Sequence, residues 1–248
     1  MSDFPADDGH CVVTAYGGDE DIGEYAAGLD VVEKGRKLYR LFVQVIRGKV
    51  HRPPVHKQRW PSARSSLHHP LGLAYLHRNK IAHGNLCPEN ILVSYPDMKR
   101  GRRPSITIIG FGSSRHVTKI LGLFVRKEHS RGTVEFLPPE AFIKEKIDLY
   151  KQDVWGVGAT VYYCLRREYV FGKQLEGAWR YMPYKKCKKQ VADICHGKVA
   201  HPLRLTRNPS VAEKWAGLID IIQAFLVYDP SKRVMTPAKY LAATQKTK

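Results

Sequence analysis

Between Leu73 and Leu92 the chain reads LAYLHRNKIAHGNLCPENIL, and no other stretch limits its fold as tightly. A helical pattern opening at Gly72-Leu-Ala-Tyr-Leu-His gives way to a polar loop, which leads into the β-branched run Ile91-Leu-Val-Ser-Tyr. A second strand is predicted at Ser105-Ile-Thr-Ile-Ile, joined to the first by Pro96–Pro104, a turn with four positive charges.

Upstream, His10–Tyr16 is another β-branched run, ended by Gly17-Gly18, and the acidic segment Asp19–Ala27 is expected to make one or two helical turns. Leu38, Leu41, Phe42, Val45 and Ile46 recur at helical spacing and predict an amphipathic helix reaching Gly48. The character of the chain then changes. Lys49–Leu71 has no periodicity, four prolines, five Lys or Arg and no carboxylate, and Pro53, Pro54 and Pro61 cannot continue a helix. Deleting 49–72 would join Gly48 to Leu73 in one unbroken helix. Codons for Gly48-Lys49 can contain a GTAAG splice donor, and those for Leu71-Gly72 a TAG followed by G. A translated, unspliced intron is therefore the expectation, with a solvated basic loop as the other reading. Downstream, Asp153–Leu165 alternates small and large apolar residues as a buried helix would. Trp215, Leu218, Ile222, Phe225 and Leu226 mark another helix, stopped by Asp229-Pro230, and Thr236-Pro237 opens a final one.

Composition removes several classes. With 43% apolar and 26% charged residues the chain has material for a core, unlike a disordered one. Its net charge of +18 is uneven: residues 1–33 hold nine carboxylates and no Lys or Arg, so all 41 basic residues lie downstream. The acidic start lacks the basic and apolar regions of a signal peptide. The longest nearly apolar stretch, Val154–Leu165, is shorter than the ~20 residues a membrane span needs. Five cysteines, odd in number and without a C-x-x-C pair, are expected to be reduced thiols. No H-E-x-x-H or Cys/His zinc spacing occurs. An intracellular protein, cytoplasmic or nuclear, is expected.

The loop His83-Gly84-Asn85-Leu86-Cys87-Pro88-Glu89-Asn90 resembles the catalytic loop of the eukaryotic protein kinases, H-R-D-L-K-P-E-N. The resemblance continues in register. Ile109-Gly110-Phe111-Gly112 stands at the metal-binding D-F-G, and Gly132–Glu140 (GTVEFLPPE) is similar to the end of an activation segment. Asp153-Val-Trp-Gly-Val-Gly158 is similar to D-x-W-x-x-G, and Leu226–Arg233 to the late motif whose Arg pairs with the activation-segment Glu. These motifs imply an α+β, protein kinase-like fold, mainly the α-helical C-lobe with a small β-hairpin at the catalytic loop. The implied organisation is an acidic tail over 1–9 and a kinase-like domain over 10–248 lacking most of its N-lobe. Within it, 10–28 is the last N-lobe strand, hinge and short helix, and 49–71 the insert. The catalytic and metal loops fall in 83–112, the activation segment in 113–140 and the helical C-lobe in 141–248. Ala15, Tyr16 and Gly17 are the implied nucleotide-binding hinge.

The resemblance also assigns roles. In the family the loop Asp accepts the substrate hydroxyl proton; here it is Asn85, whose amide has no useful proton affinity. Cys87 replaces the Lys near the transferring phosphate. Gly110 replaces the D-F-G Asp that holds Mg²⁺, and Asn90 alone remains of the metal-binding pair. No Gly-rich loop or strand Lys is recognisable upstream. The scaffold positions His83, Thr133, Glu140, Asp153 and Arg233 keep the residue types a C-lobe needs, with Glu140–Arg233 expected as a buried pair and Thr133 expected to hydrogen-bond toward the catalytic loop.

Altered chemistry on a retained scaffold implies a pseudokinase, a scaffold or regulator with a protein partner and no cofactor. One alternative is a weakly active Ser/Thr-type kinase using ATP and Mg²⁺, if an N-lobe exists upstream. Another is a fragment without a stable fold of its own. Nucleic acid and membrane are not the expected partners: the basic runs Lys99–Arg103 and Lys185–Lys189 lack aromatics at stacking intervals.

Overall fold

The computed structural model describes residues 20–47, 72–94, 104–117, 124–126, 132–143, 146–171, 189, 191–193 and 205–234. The expected hinge at Ala15, Tyr16 and Gly17, the strand before it, the stretch 49–71, the turn 96–103 and the helix from Thr236 lie outside these residues.

The described chain begins with β1 (Glu20–Asp21), which leads straight into α1 (Ile22–Ala27). Asp21 caps that helix, its carboxylate accepting the Gly23 and Glu24 N–H groups at 2.7 and 3.0 Å. Asp30 caps α2 (Val31–Glu33) in the same way. A π-helical turn, Lys34–Leu38, carries α2 into α3 (Tyr39–Arg47). The predicted stripe Leu38, Leu41, Phe42, Val45 and Ile46 is buried along its whole length.

Next come α4 (Leu73–Arg78) and β2 (Ile81–Ala82), then a 3-10 turn over Pro88–Asn90 that enters β3 (Ile91–Ser94). β4 (Ser105–Ile108), a 3-10 turn over Phe111–Ser113, β5 (Arg115–His116) and β6 (Phe124–Arg126) follow. A 3-10 turn at Val134–Phe136 precedes α5 (Glu140–Ile143), β7 (Lys146–Asp148) and α6 (Leu149–Arg166). The last described elements are α7 (Pro209–Lys214) and α8 (Ala216–Phe225).

β3 and β4 form the expected hairpin, with Ile91 opposite Ile108. Its other edge is not open: Glu20 and Asp21 pair antiparallel with Val93 and Leu92, making a three-stranded sheet β1–β3–β4. An acidic pair carries no strand signature. It pairs because β3 is buried and would otherwise leave backbone donors and acceptors unmet. Two further antiparallel pairs, β2–β5 and β6–β7, tie two stretches of the activation segment to the strands that flank it.

α6 is the axis of the molecule. Asp148 caps it, accepting the Tyr150 and Lys151 N–H groups at 2.9 and 3.1 Å. All but a few of its residues are buried, as expected of a helix apolar around most of its circumference. It packs against α1 and α8, while α3 packs against α4 and β4. Trp155, fully enclosed, stacks on Phe171 with ring centroids 5.5 Å apart. Trp215 ties α8 to the other end of the chain, donating from Nε1 to the Val31 carbonyl at 2.9 Å. The architecture is α+β and mostly helical among the described residues, none of whose helices is long and apolar enough to cross a membrane.

Candidate active site

One carboxylate shapes the loop between β2 and β3. Asp153, in the first turns of α6, is buried, and its Oδ1 accepts the Gly84 N–H at 2.7 Å. Its Oδ2 accepts the His83 N–H at 2.8 Å and His77 Nε2 at 2.9 Å. The neighbouring Gln152 closes the grip by donating from Nε2 to the Gly84 carbonyl at 2.7 Å. Three residues beyond Asp153, Gly156 lets the helix come close: a Cβ there would lie 2.7 Å from the Leu86 carbonyl oxygen. The loop's course is thus set through main-chain atoms by one face of α6.

His83 is fully buried and bonded at both ring nitrogens. Nδ1 accepts the Asn85 N–H at 3.3 Å, so the ring hydrogen lies on Nε2, which donates to the Ile109 carbonyl at 2.8 Å. Burial holds its pKa below the ordinary histidine value, although the Asp153 charge pulls the other way. Its ring meets Phe111 edge-on at 4.9 Å. Ser114 adds a hydroxyl donated to the His83 carbonyl at 3.1 Å.

The chemistry-bearing positions converge around this frame. Asn85 Oδ1 accepts the Thr133 N–H at 2.8 Å, joining the loop to the activation segment. Thr133 reaches the loop a second time through its hydroxyl, which donates to Cys87 Sγ at 3.7 Å. Cys87 is 1% exposed, and burial pushes its thiol up to about 12, so the position carries no charge. Asn90 Nδ2 donates to the Asn85 carbonyl at 2.8 Å. Gly110 sits beside it in the left-handed region, at φ 77°. Asn85, Gly132, Thr133, Gln152 and Gly156 are among the residues bordering a small recess.

A second anchor lies behind the activation segment. Arg233 forks onto Glu140, with Nη1–Oε1 and Nη2–Oε2 distances of 2.7 and 3.0 Å. The guanidinium also donates to the Val227 and Lys151 carbonyls at 2.9 Å each and lies over the Trp155 ring. Lys151 returns a hydrogen bond to the Arg233 carbonyl.

These residues do not suit a Mg²⁺–nucleotide complex of the kind the kinase motifs imply. A hard cation needs anionic oxygens, and position 110 offers no side chain, position 85 a neutral amide and position 87 a neutral thiol. Asn90 Nδ2 is engaged within the loop, so this residue offers an ion one neutral amide oxygen and no charge. Among the described residues no three His, Cys, Asp or Glu side chains converge as ligands.

The protein kinase domain family matches residues 58–244, opening inside the basic stretch 49–71. The chain belongs to the protein kinase domain family. It is similar to sperm motility kinase 3A of Mus musculus, 29% identical over 213 residues, which is 83% of this chain and 35% of that protein. It is also similar to Aurora kinase B of Danio rerio, 33% identical over 93 residues, 38% of this chain and 25% of the relative. Calcium-dependent protein kinase 6 of Plasmodium berghei is 34% identical over 99 residues, 40% of this chain and 6% of the relative. The chain thus spans about a third or less of the length of these curated relatives.

Among the described residues the motif positions His83, Asn85, Cys87, Asn90, Gly110, Thr133, Glu140, Asp153 and Arg233 form two linked groups, joined through α6. Sequence reasoning missed Gln152, Ser114 and Lys151. Gln152 and Lys151 adjoin the recognised Asp153, and their place in the first turns of a buried helix was the available signal. Ser114 had none.

Proposed function

We propose that this chain is a catalytically impaired protein kinase domain, a pseudokinase that works by holding a protein partner as a scaffold or regulator. The observation that carries this reading is the pair of exchanges at Gly110 and Asn85 on an otherwise intact frame. The position where the family places its metal-holding carboxylate has no side chain, and the position of its proton acceptor is an amide whose Oδ1 accepts the Thr133 N–H. Loss of a general base alone costs about 10²–10⁴ in rate, and loss of the ion's anchor adds to that. The intact grip of Asp153 and the Glu140–Arg233 pair support a function in which the surface is kept and the reaction is not. Under this reading no ATP or Mg²⁺ is needed, the partner is a protein rather than nucleic acid or membrane, and the protein works inside the cell.

The test is phosphoryl transfer by the full chain, given ATP, Mg²⁺ and a generic protein substrate. No transfer above background is expected. Transfer that Asn90→Ala abolishes would overturn the proposal in favour of a weakly active kinase.

A further inference from the structure

The helical run from Val31 to Arg47 carries five Lys or Arg from Lys34 onward and no carboxylate after Glu33. Lys37 answers Glu33 as an i,i+4 pair. Arg36, Arg40 and Arg47 are exposed, and none of them bonds or pairs with another described residue. Their place follows from the helix. Leu38, Leu41, Phe42, Val45 and Ile46 are buried in the core, so the opposite side of α3 presents Arg40, Val43, Gln44 and Arg47 at i, i+3, i+4 and i+7. Arg36 stands one turn before Arg40, in the π-helical turn. From Arg36 to Arg47 the stripe runs about 16 Å along the helix.

Folding gives no reason for this stripe. Arg36 and Arg40, four residues apart, carry like charges and oppose the helix rather than support it. Neither α4 nor β4, the elements α3 packs against, contains a carboxylate to set opposite them. We propose that the outer face of α3, carried by Arg36, Arg40 and Arg47, is a docking surface for an acidic segment of a partner protein. Guanidinium groups without a counterion suit carboxylates brought by another molecule, each gripped by two parallel hydrogen bonds. The other anionic partners fit less well. The stripe exposes no Leu, Phe or Trp to enter a bilayer. Tyr39, half-buried against Gly217, and Phe42, fully buried, leave no ring for a nucleic-acid base to stack on. The proposal goes beyond the pseudokinase reading and does not rest on it, since none of the three arginines belongs to the candidate active site.

Fluorescence anisotropy on the full chain tests this. The probe is a labelled Ala-rich helical peptide of about 20 residues with Glu along one face, and its Glu→Gln counterpart is the neutral control. The parent is expected to bind the acidic peptide saturably, more weakly as salt rises, and to leave the neutral one unbound. Arg40→Glu with Arg47→Glu should weaken binding about tenfold or more at an unchanged thermal midpoint, because both positions are exposed. Arg207→Glu, an exposed charge reversal elsewhere, should change it less than about twofold. Absence of saturable binding by the parent would overturn the proposal. So would an equal loss in Arg207→Glu, which would show an effect of net charge alone. Tighter binding, through the same arginines, of a single-stranded oligonucleotide or of phosphatidylserine vesicles would also overturn it, in favour of those partners. Phosphoryl transfer by the chain would remove the pseudokinase reading and leave this surface standing.

Discussion

Arg233 and Glu140 meet as two parallel nitrogen–oxygen contacts, 2.7 and 3.0 Å long, with side chains 0% and 2% exposed. A pair this deeply enclosed is costly to break on one side, because the survivor is a buried charge without a counterion. The indole beneath the guanidinium and the two backbone carbonyls it bonds hold Arg233 in place, so it cannot swing out to water when its partner is lost.

Glu140→Ala should therefore destabilise the fold by about 3–5 kcal/mol, and Arg233→Ala by a similar amount. Denaturant unfolding of each variant, read as a change in midpoint at constant slope, measures this. A loss below about 1 kcal/mol would show that the pair is solvated in solution.

Gly156 should tolerate no side chain, since its Cβ would meet the Leu86 main chain rather than a movable side-chain end. Gly156→Ala is expected to cost about 1–3 kcal/mol. Gly112→Ala is the matched control: no atom lies within 4 Å of the added carbon, and its stability should stay within about 0.5 kcal/mol of the parent. Equal losses at the two sites would contradict the close approach of α6 to the loop.

His83 gives the fold a pH dependence of known direction. Its folded-state pKa is depressed by burial, so the folded protein keeps the ring neutral where the unfolded chain takes up a proton. Stability from this group is fully present above the unfolded value of about 6.5 and is lost as pH falls below it, by at most about 1.4 kcal/mol per pH unit. His83→Gln should lower stability at every pH but flatten its fall between about pH 6.5 and 5. Parallel curves for parent and variant would refute the assignment.

Cys87 should be chemically silent. With its thiol pushed up to about 12, roughly 10³-fold less thiolate is present than for a free cysteine at the same pH. Cys164, fully enclosed, is shifted in the same direction by the same cause. Both should resist alkylation near pH 8 in the folded chain and label on unfolding, as peptide mass spectrometry would read. Rapid labelling of Cys87 in the folded chain would mean that the loop opens.

Much of this was legible in the residues. The stripe from Leu38 to Ile46 and the apolar run from Val154 to Leu165 are periodic, and periodicity is a local signal that burial turns into helices. The hairpin β3–β4 was equally local. What escaped the sequence depends on partners distant along the chain: the Glu20–Asp21 strand, the π-helical turn at Lys34–Leu38, Gln152 on Gly84 and Ser114 on His83. At the site, the motif residues could be named but not how they are used. The turn of Thr133 toward Asn85 through its main chain, and the filling of Gly110's empty side by Asn90, follow only from three-dimensional neighbours.

Because α6 grips the loop at the main-chain atoms of His83 and Gly84, it is blind to which side chains stand at positions 85 and 87. Outline and reactivity are thus separable properties of this lobe, open to change at different rates. A protein that docks by relief alone would meet the same contours whether or not the centre beneath could move a phosphate, and the two could compete for it on equal terms.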